Sequence, residues 1–361
     1  MRAVVSIVAA LCTLAPLGAA AQVRSGAELY EWACAACHGP DGRGQPRSRV
    51  GFDTSLPDFT DCGFATPETD ADWAAIVQRG GPVRAFDRRM PAFGDVLSPA
   101  EVQRVLEHVR GFCARARQWP RGELNLPRAL VTEKAFPENE ALLTVAASGD
   151  DEFATAALYE RRVGARTQFE IAVPFVGQQG DASWTQGLGD MAVAVKHVLH
   201  HNLARGTIVS AAAEVTLPTG SESRGLGSGA TVFEPFVAFG QILPRDSFLQ
   251  LQAGIELPSD TDRADREAFW RAAFGRSLLE HGYGRSWSPM LEVLGATELT
   301  SGGETAWDVV PQLQVTLSRR QHIMVSAGVR LPINGRDERG NAFLAYLLWD
   351  WFDGGIFNGW H

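Results

Sequence analysis

Beyond its extreme N-terminus this 361-residue sequence has no apolar run near the ~18–20 residues of a membrane-spanning helix. It has no surplus of positive charge either: 33 Lys and Arg stand against 42 Asp and Glu, a net charge of −9. That balance argues against a general nucleic-acid binder, which needs a cationic surface. Cysteines are few, five in all, and no Ser/His/Asp or paired-carboxylate arrangement stands out as a catalytic site. The shortage of apolar runs does not exclude a transmembrane β-barrel. Its strands alternate apolar and polar residues, so their hydropathy averages to neutral. The length predicts two structural units.

Residues 1–21 read as a secretory signal peptide. Arg2 precedes an apolar stretch from Val4 to Leu17, and Ala19-Ala20-Ala21 lies before Gln22, with small side chains where signal peptidase cuts. A retained anchor is the alternative, but the stretch is short for a span. Cys12 falls inside it with no lipobox. Export leaves Cys34, Cys37, Cys62 and Cys113 in a compartment where disulfides persist.

Cys34-Ala35-Ala36-Cys37-His38 is the attachment pattern of a c-type haem: two thiols to add across the vinyl groups, then an imidazole for the iron. A redox dithiol would want a surrounding βαβ pattern, and a zinc site a second Cys/His pair; neither is present. Ser25 and Glu28 form a capping-box signature ahead of an apolar stripe of Leu29, Trp32 and Ala33. A second axial ligand is expected downstream from a loop. Met90 is the candidate, because Pro91 biases it toward an extended backbone. His108 is the alternative, but it sits within a helix. A middle helix is predicted from Asp70 through Gln78, with Trp73, Ile76 and Val77 inward and Gly80-Gly81 as terminator. A closing helix follows Ser98-Pro99-Ala100-Glu101, which supply cap, N1 proline and capping-box glutamate, with Val102, Val105, Leu106 and Val109 on one face.

With an early Cys-x-x-Cys-His, a later Met-Pro in a loop and a closing helix, residues 22–118 resemble the class I cytochromes c. The resemblance implies an all-α domain, one covalent haem c, and His38 and Met90 as axial ligands. A thioether opposite histidine raises the potential and leaves no open site for substrate, which suits an electron carrier rather than an enzyme. The remaining Cys62 and Cys113 are expected to form a disulfide. Closing a loop of about 50 residues would stabilise the domain by ~3–4 kcal/mol.

Residues 119–139 mix arginines with Pro120, Pro127 and Pro137 and read as a linker or docking segment. From 140 to 361 the period becomes two. Phe169, Ile171, Val173 and Phe175 alternate with Gln168, Glu170, Ala172 and Pro174; Leu249 to Leu257 and Ile323 to Leu331 repeat the pattern. About twelve such segments begin near 140, 152, 165, 188, 205, 230, 246, 266, 286, 306, 321 and 341. Most run ~10–13 residues, longer than ordinary soluble strands of ~5–6. The inward set carries Glu170, Lys196, Glu214, Glu256, Glu292 and Arg330, and the outward set is apolar. An antiparallel transmembrane β-barrel is therefore predicted, with a soluble β-sandwich as the alternative. Trp349, Trp351 and Trp360 are candidates for an interfacial girdle. Gly187-Leu188-Gly189-Asp190, Leu217-Pro218-Thr219-Gly220 and the tail Tyr346 to Gly354 resemble the outer-membrane family of the meta pathway of phenol degradation. That likeness implies an outer-membrane barrel of undefined transport role. His200-His201 and the glycine-rich 225–229 read as turns.

Together the halves predict a haem-dependent electron-transfer protein, with the membrane as anchor, redox proteins of the periplasm as partners, and the haem domain on the periplasmic side. A channel or transporter with a redox-sensing cytochrome, and a soluble periplasmic protein, are the alternatives.

Overall fold

The computed structural model describes residues 23–51, 55–149, 152–179, 183–279, 285–336 and 339–351. The expected signal peptide, Cys12, Trp360 and the end of the tail motif lie outside them.

The N-terminal part is built from short helices: α1 (Gly26–Ala33), α2 (Ala35–His38), α3 (Arg47–Val50), α4 (Cys62–Ala65), α5 (Asp70–Arg79) and α6 (Pro99–Arg110). Ser25 and Ser98 each close a capping box, with Glu28 and Glu101, and Thr69 caps α5. Each cap satisfies orphan backbone N–H groups and stabilises its helix by about 1 kcal/mol. The helix expected to carry the whole haem motif is broken at Cys34, which ends α1 and begins α2, and Gly39 (φ 76°) stops α2. Leu29 and Tyr30 of α1, Trp73 and Val77 of α5, and Val102, Val105, Leu106 and Val109 of α6 form one buried cluster. Full burial of an aliphatic side chain of this size contributes about 1.5–3 kcal/mol. Helices α1 and α6 cross closely at Gly26, where a Cβ would lie 2.1 Å from the carbonyl oxygen of Arg104. Cys62 and Cys113 are disulfide-bonded with Cα atoms 5.2 Å apart, tying α4 to the end of α6.

Fourteen strand segments follow: β1 (Glu140–Ser148), β2 (Glu152–Val163), β3 (Thr167–Gln179), β4 (Trp184–Leu188), β5 (Met191–Asn202), β6 (Thr207–Leu217), β7 (Val232–Leu243), β8 (Ser247–Pro258), β9 (Glu267–Arg276), β10 (Leu278–Leu279), β11 (Ser286–Glu298), β12 (Thr305–Thr316), β13 (Ile323–Pro332) and β14 (Ala342–Asp350). β4 and β5 both pair with β3, and β9 and β10 both pair with β11. Each of these pairs is one stave with a break, so the segments make twelve staves. Neighbours in sequence pair antiparallel, and β14 pairs with β1, from Glu140↔Asp350 to Ser148↔Ala342, which closes the barrel. Closure removes the sheet edges that hydrocarbon could not hydrate.

The outward band is exposed and apolar: Val145, Phe169, Ile171, Val195, Val237, Leu251, Leu291, Leu313 and Phe343 all lie on it. Trp351 stacks on Tyr159 near one rim, and Trp184 on Phe153 near the other. The inward positions are polar and buried, among them Gln168, Lys196, Ser210, Gln250, Gln252, Glu292, Gln312 and Gln314. Short connections at 164–166, 203–206 and 244–246 lie at one rim, and the longer 218–231 and 259–266 at the other. The helical part sits against the short-turn rim. There the carbonyl of Gln118 accepts from Arg166 at 3.1 Å, and the Arg320 guanidinium lies 4.2 Å from the Phe86 ring centroid.

The segment 119–139 does more than link. It enters the lumen from the short-turn rim and turns back to begin β1. Leu124, Ala135 and Phe136 pack on Val198, Ile208, Phe236 and Phe269, while Leu126 and Ala129 pack on Phe248, Ala273 and Met290. At the tip, the carboxylate of Glu292 accepts from the backbone N–H groups of Leu130 (3.0 Å), Val131 (3.1 Å) and Thr132 (2.6 Å). Proline and arginine suggested a linker or a docking segment. Here the prolines shape a non-sheet insert, and the polar wall supplies the partners that its backbone needs.

The wall explains why this insert carries buried Arg128 and Lys134. Glu140, Glu160 and Glu170 stand directly opposite one another on β1, β2 and β3, with Asp350 opposite Glu140 on β14. Like charges in that register destabilise a sheet. Arg128 of the insert offsets them, lying 2.6 Å from Glu140, 2.7 Å from Glu160 and 2.8 Å from Glu133. Lys134 pairs with Glu138 and with Glu140. Beyond the tip a lumenal cavity of about 420 Å³ is lined by Glu133, Glu170, Glu214, Glu234, Lys196 and Arg271.

Candidate functional site

The haem motif opens onto a cavity of about 400 Å³ enclosed by the helices, within the ~300–1,000 Å³ usual for ligand pockets. Cys34 lines it from the N-cap of α2, Cys37 and His38 from α2 itself, and Met90 from the loop after α5. The wall between them is apolar and aromatic: Phe59, Phe64, Trp73, Ile76, Phe93 and Leu106. His38 stacks on Phe59 with ring centroids 5.0 Å apart.

Local structure explains the placement. The break at Cys34 is followed by one tight turn, so Cys34 at the N-cap of α2 and Cys37 within it lie three residues apart, and both remain free thiols. Met90 is held by two tethers: its carbonyl accepts from Gly81 N–H at 3.0 Å, and its own N–H donates to Asp87 at 3.1 Å. The following residues run along the end of α5, with Phe93 N–H to the Val77 carbonyl at 2.8 Å and Gly94 N–H to the Gln78 carbonyl at 3.1 Å. This close approach needs Gly80 (φ 82°), since a Cβ there would press on the Met90 carbonyl at 3.0 Å.

The chemistry of this donor set fits haem c. Burial pulls the His38 pKa down to about 4, so its imidazole is neutral and has a lone pair for a metal. Its buried Nδ1 has no hydrogen-bond partner among the described residues. Burial, and then the neighbouring Cys37, push the Cys34 thiol up to about 11. His108 does not line the cavity; it packs between Tyr30 and Phe112 at ring distances of 5.2 and 5.0 Å. Trp73 and Ile76 were indicated by the spacing of the middle helix. Phe59, Phe64 and Glu68 were not, because they come from an aperiodic stretch around α4. His201 lies at the helical interface, with Nε2 3.5 Å from Arg166.

Residues 21–109 match the family model described as "Cytochrome C oxidase, cbb3-type, subunit III". The fold and this match together define a c-type cytochrome domain followed by a twelve-stranded antiparallel barrel. No curated protein matches the chain. Among solved structures, a NanC porin is similar at TM-score 0.42 and 10% identity, over 59% of this chain and 98% of that one. LpxR from Salmonella typhimurium is similar at TM-score 0.41 and 6% identity, over 59% and 100%. A KdgM porin is similar at TM-score 0.40 and 7% identity, over 59% and 99%.

Proposed function

We propose that this chain is a monohaem electron-transfer protein anchored in the outer membrane by its own barrel, with the haem domain in the periplasm. The observation that carries the reading is the convergence of Cys34, Cys37, His38 and Met90 on one aromatic cavity. Haem c bound there supplies a one-electron couple. Cys34 and Cys37 would hold the group covalently, His38 and Met90 would ligate its iron, and Phe59, Phe64 and Trp73 would exclude water. Its partners are periplasmic redox proteins that deliver or remove single electrons.

The outer-membrane placement is supported by the exposed apolar band around a polar interior, which a soluble periplasmic protein would leave facing water. The orientation is supported by the rims, since short turns face the periplasm in barrels of this kind. The helices lie at that rim. The insert at 119–139 weighs against the channel reading, because it occupies the lumen with packed apolar side chains and paired charges. The meta-pathway resemblance of residues 140–361 fits this location and adds no solute.

Membrane fractionation of cells expressing the full chain, with haem staining of denaturing gels, tests the reading. We expect covalent haem in the outer-membrane fraction, resistant to protease added to intact cells. Haem stain confined to the soluble periplasmic fraction, or no covalent haem, overturns it.

A further inference from the structure

The barrel reaches the wall of the haem cavity through the connection between β12 and β13. Glu68 and Phe86 line that cavity. From the barrel side, Nε2 of His322 lies 3.0 Å from Oε1 of Glu68, and Arg320 covers Phe86. The other ring nitrogen of His322, Nδ1, faces Asp350, 3.2 Å from its backbone carbonyl and also against its carboxylate. The backbone carbonyl can only accept, and an ionised Glu68 accepts as well, so with Glu68 ionised both ring nitrogens carry a proton and the ring is an imidazolium. His322 is only 2% exposed, and its position places a buried positive charge between a cavity carboxylate and the barrel.

We propose that His322 is a positioning residue for the haem site: by neutralising Glu68 it holds the reduction potential up, so the barrel tunes the domain it carries. This rests on the haem reading of Cys34, Cys37, His38 and Met90. The step concerned is one electron, passed from a reduced protein donor to ferric iron to give ferrous iron, with no bond made or broken. Ferric iron carries one more positive charge than ferrous, so taking a positive charge away from beside the cavity wall favours the ferric state and lowers the potential. The charged groups facing His322 are Glu68 from the loop before α5 and Asp350 at the end of β14; Glu140 stands opposite Asp350 on β1, and Arg320 of the same connection lies over Phe86. Burial opposes protonation of His322, but Asp350 and Glu68 outweigh it and raise its pKa well above the usual histidine value. His322 is therefore protonated at neutral pH, and its positive charge is lost only as pH rises through that raised value.

The test is a spectroelectrochemical titration of the full-length haem-loaded protein in detergent, comparing wild type, His322→Gln, Glu68→Gln and the double variant. His322→Gln is expected to shift the oxidised-to-reduced ratio about tenfold at a fixed applied potential, about 59 mV lower for a one-electron couple. The double variant is expected to return to the wild-type potential, because one positive and one negative charge are removed together. Wild type is expected to lose potential on alkaline titration, and His322→Gln to lack that step. If His322→Gln leaves the potential unchanged, or lowers it without rescue by Glu68→Gln, the inference is overturned and the role is only structural. Should His322→Gln fail to fold, Glu68→Gln alone carries the test, and it is expected to raise the potential. Failure of the haem reading itself shows separately, as wild-type protein with no covalent haem spectrum.

Discussion

Met90 projects from a loop pinned by backbone hydrogen bonds at Gly81 and Asp87, so its thioether is presented with little freedom to be replaced. Met90→Ala is expected to keep haem attached through Cys34 and Cys37. It should lose the weak long-wavelength absorbance of Met-ligated ferric haem and lower the potential, since methionine opposite histidine raises it. An unchanged absorbance band in the oxidised variant would remove Met90 from the ligand set. Residues of this kind are legible in a sequence when their chemistry is local. Cys34, Cys37 and His38 fit within five positions, and Met90 is marked by the proline after it. Glu68 and His322 are separated by 254 positions and meet only because the barrel rim comes round to the helices. No spacing rule reaches that far.

Helices α1 and α6 illustrate how much of an element can be read ahead of its structure. Their starts follow from Ser25 with Glu28 and Ser98 with Glu101, whose side chains satisfy the first N–H groups whatever lies around them. Their crossing does not follow, because a glycine inside a first turn reads only as a weak helix former. The structure gives Gly26 its reason: the Arg104 carbonyl occupies the space a side chain would take. Gly26→Ala should therefore destabilise the haem domain by about 1–3 kcal/mol through overpacking, despite alanine's better helix propensity. A lower urea midpoint of haem-domain unfolding, with barrel migration on unheated gels unchanged, is the expected result; a stabilised domain would contradict the close crossing. Among the strands, period two located nearly every stave, since each has one face in the lumen and one outside. The breaks at Gly189-Asp190 and Ser277 were not separable from continuous strand by alternation alone.

The whole molecule depends on the insert, whose burial composition alone does not reveal, because buried arginine is rare without its partners in view. Removing one partner of a buried ion pair typically costs about 3–5 kcal/mol, so Arg128 and the wall carboxylates are mutually dependent. Replacing residues 124–136 with a Gly/Ser chain of equal length should weaken the barrel and open it. In planar bilayers the wild type is expected to be nearly silent, and the variant to conduct with a preference for cations, set by Glu140, Glu160, Glu170 and Glu292 on the wall. Equal conductance in both would show that the insert is not the obstruction.

Trp119 meets Arg162, and Glu140 begins β1, at the same rim where the insert enters and leaves. Topologically the insert is a loop laid into the cylinder and not a thread passed through it. It can be drawn out or pushed in while all twelve staves stay joined, and the chain never has to be knotted to be filled.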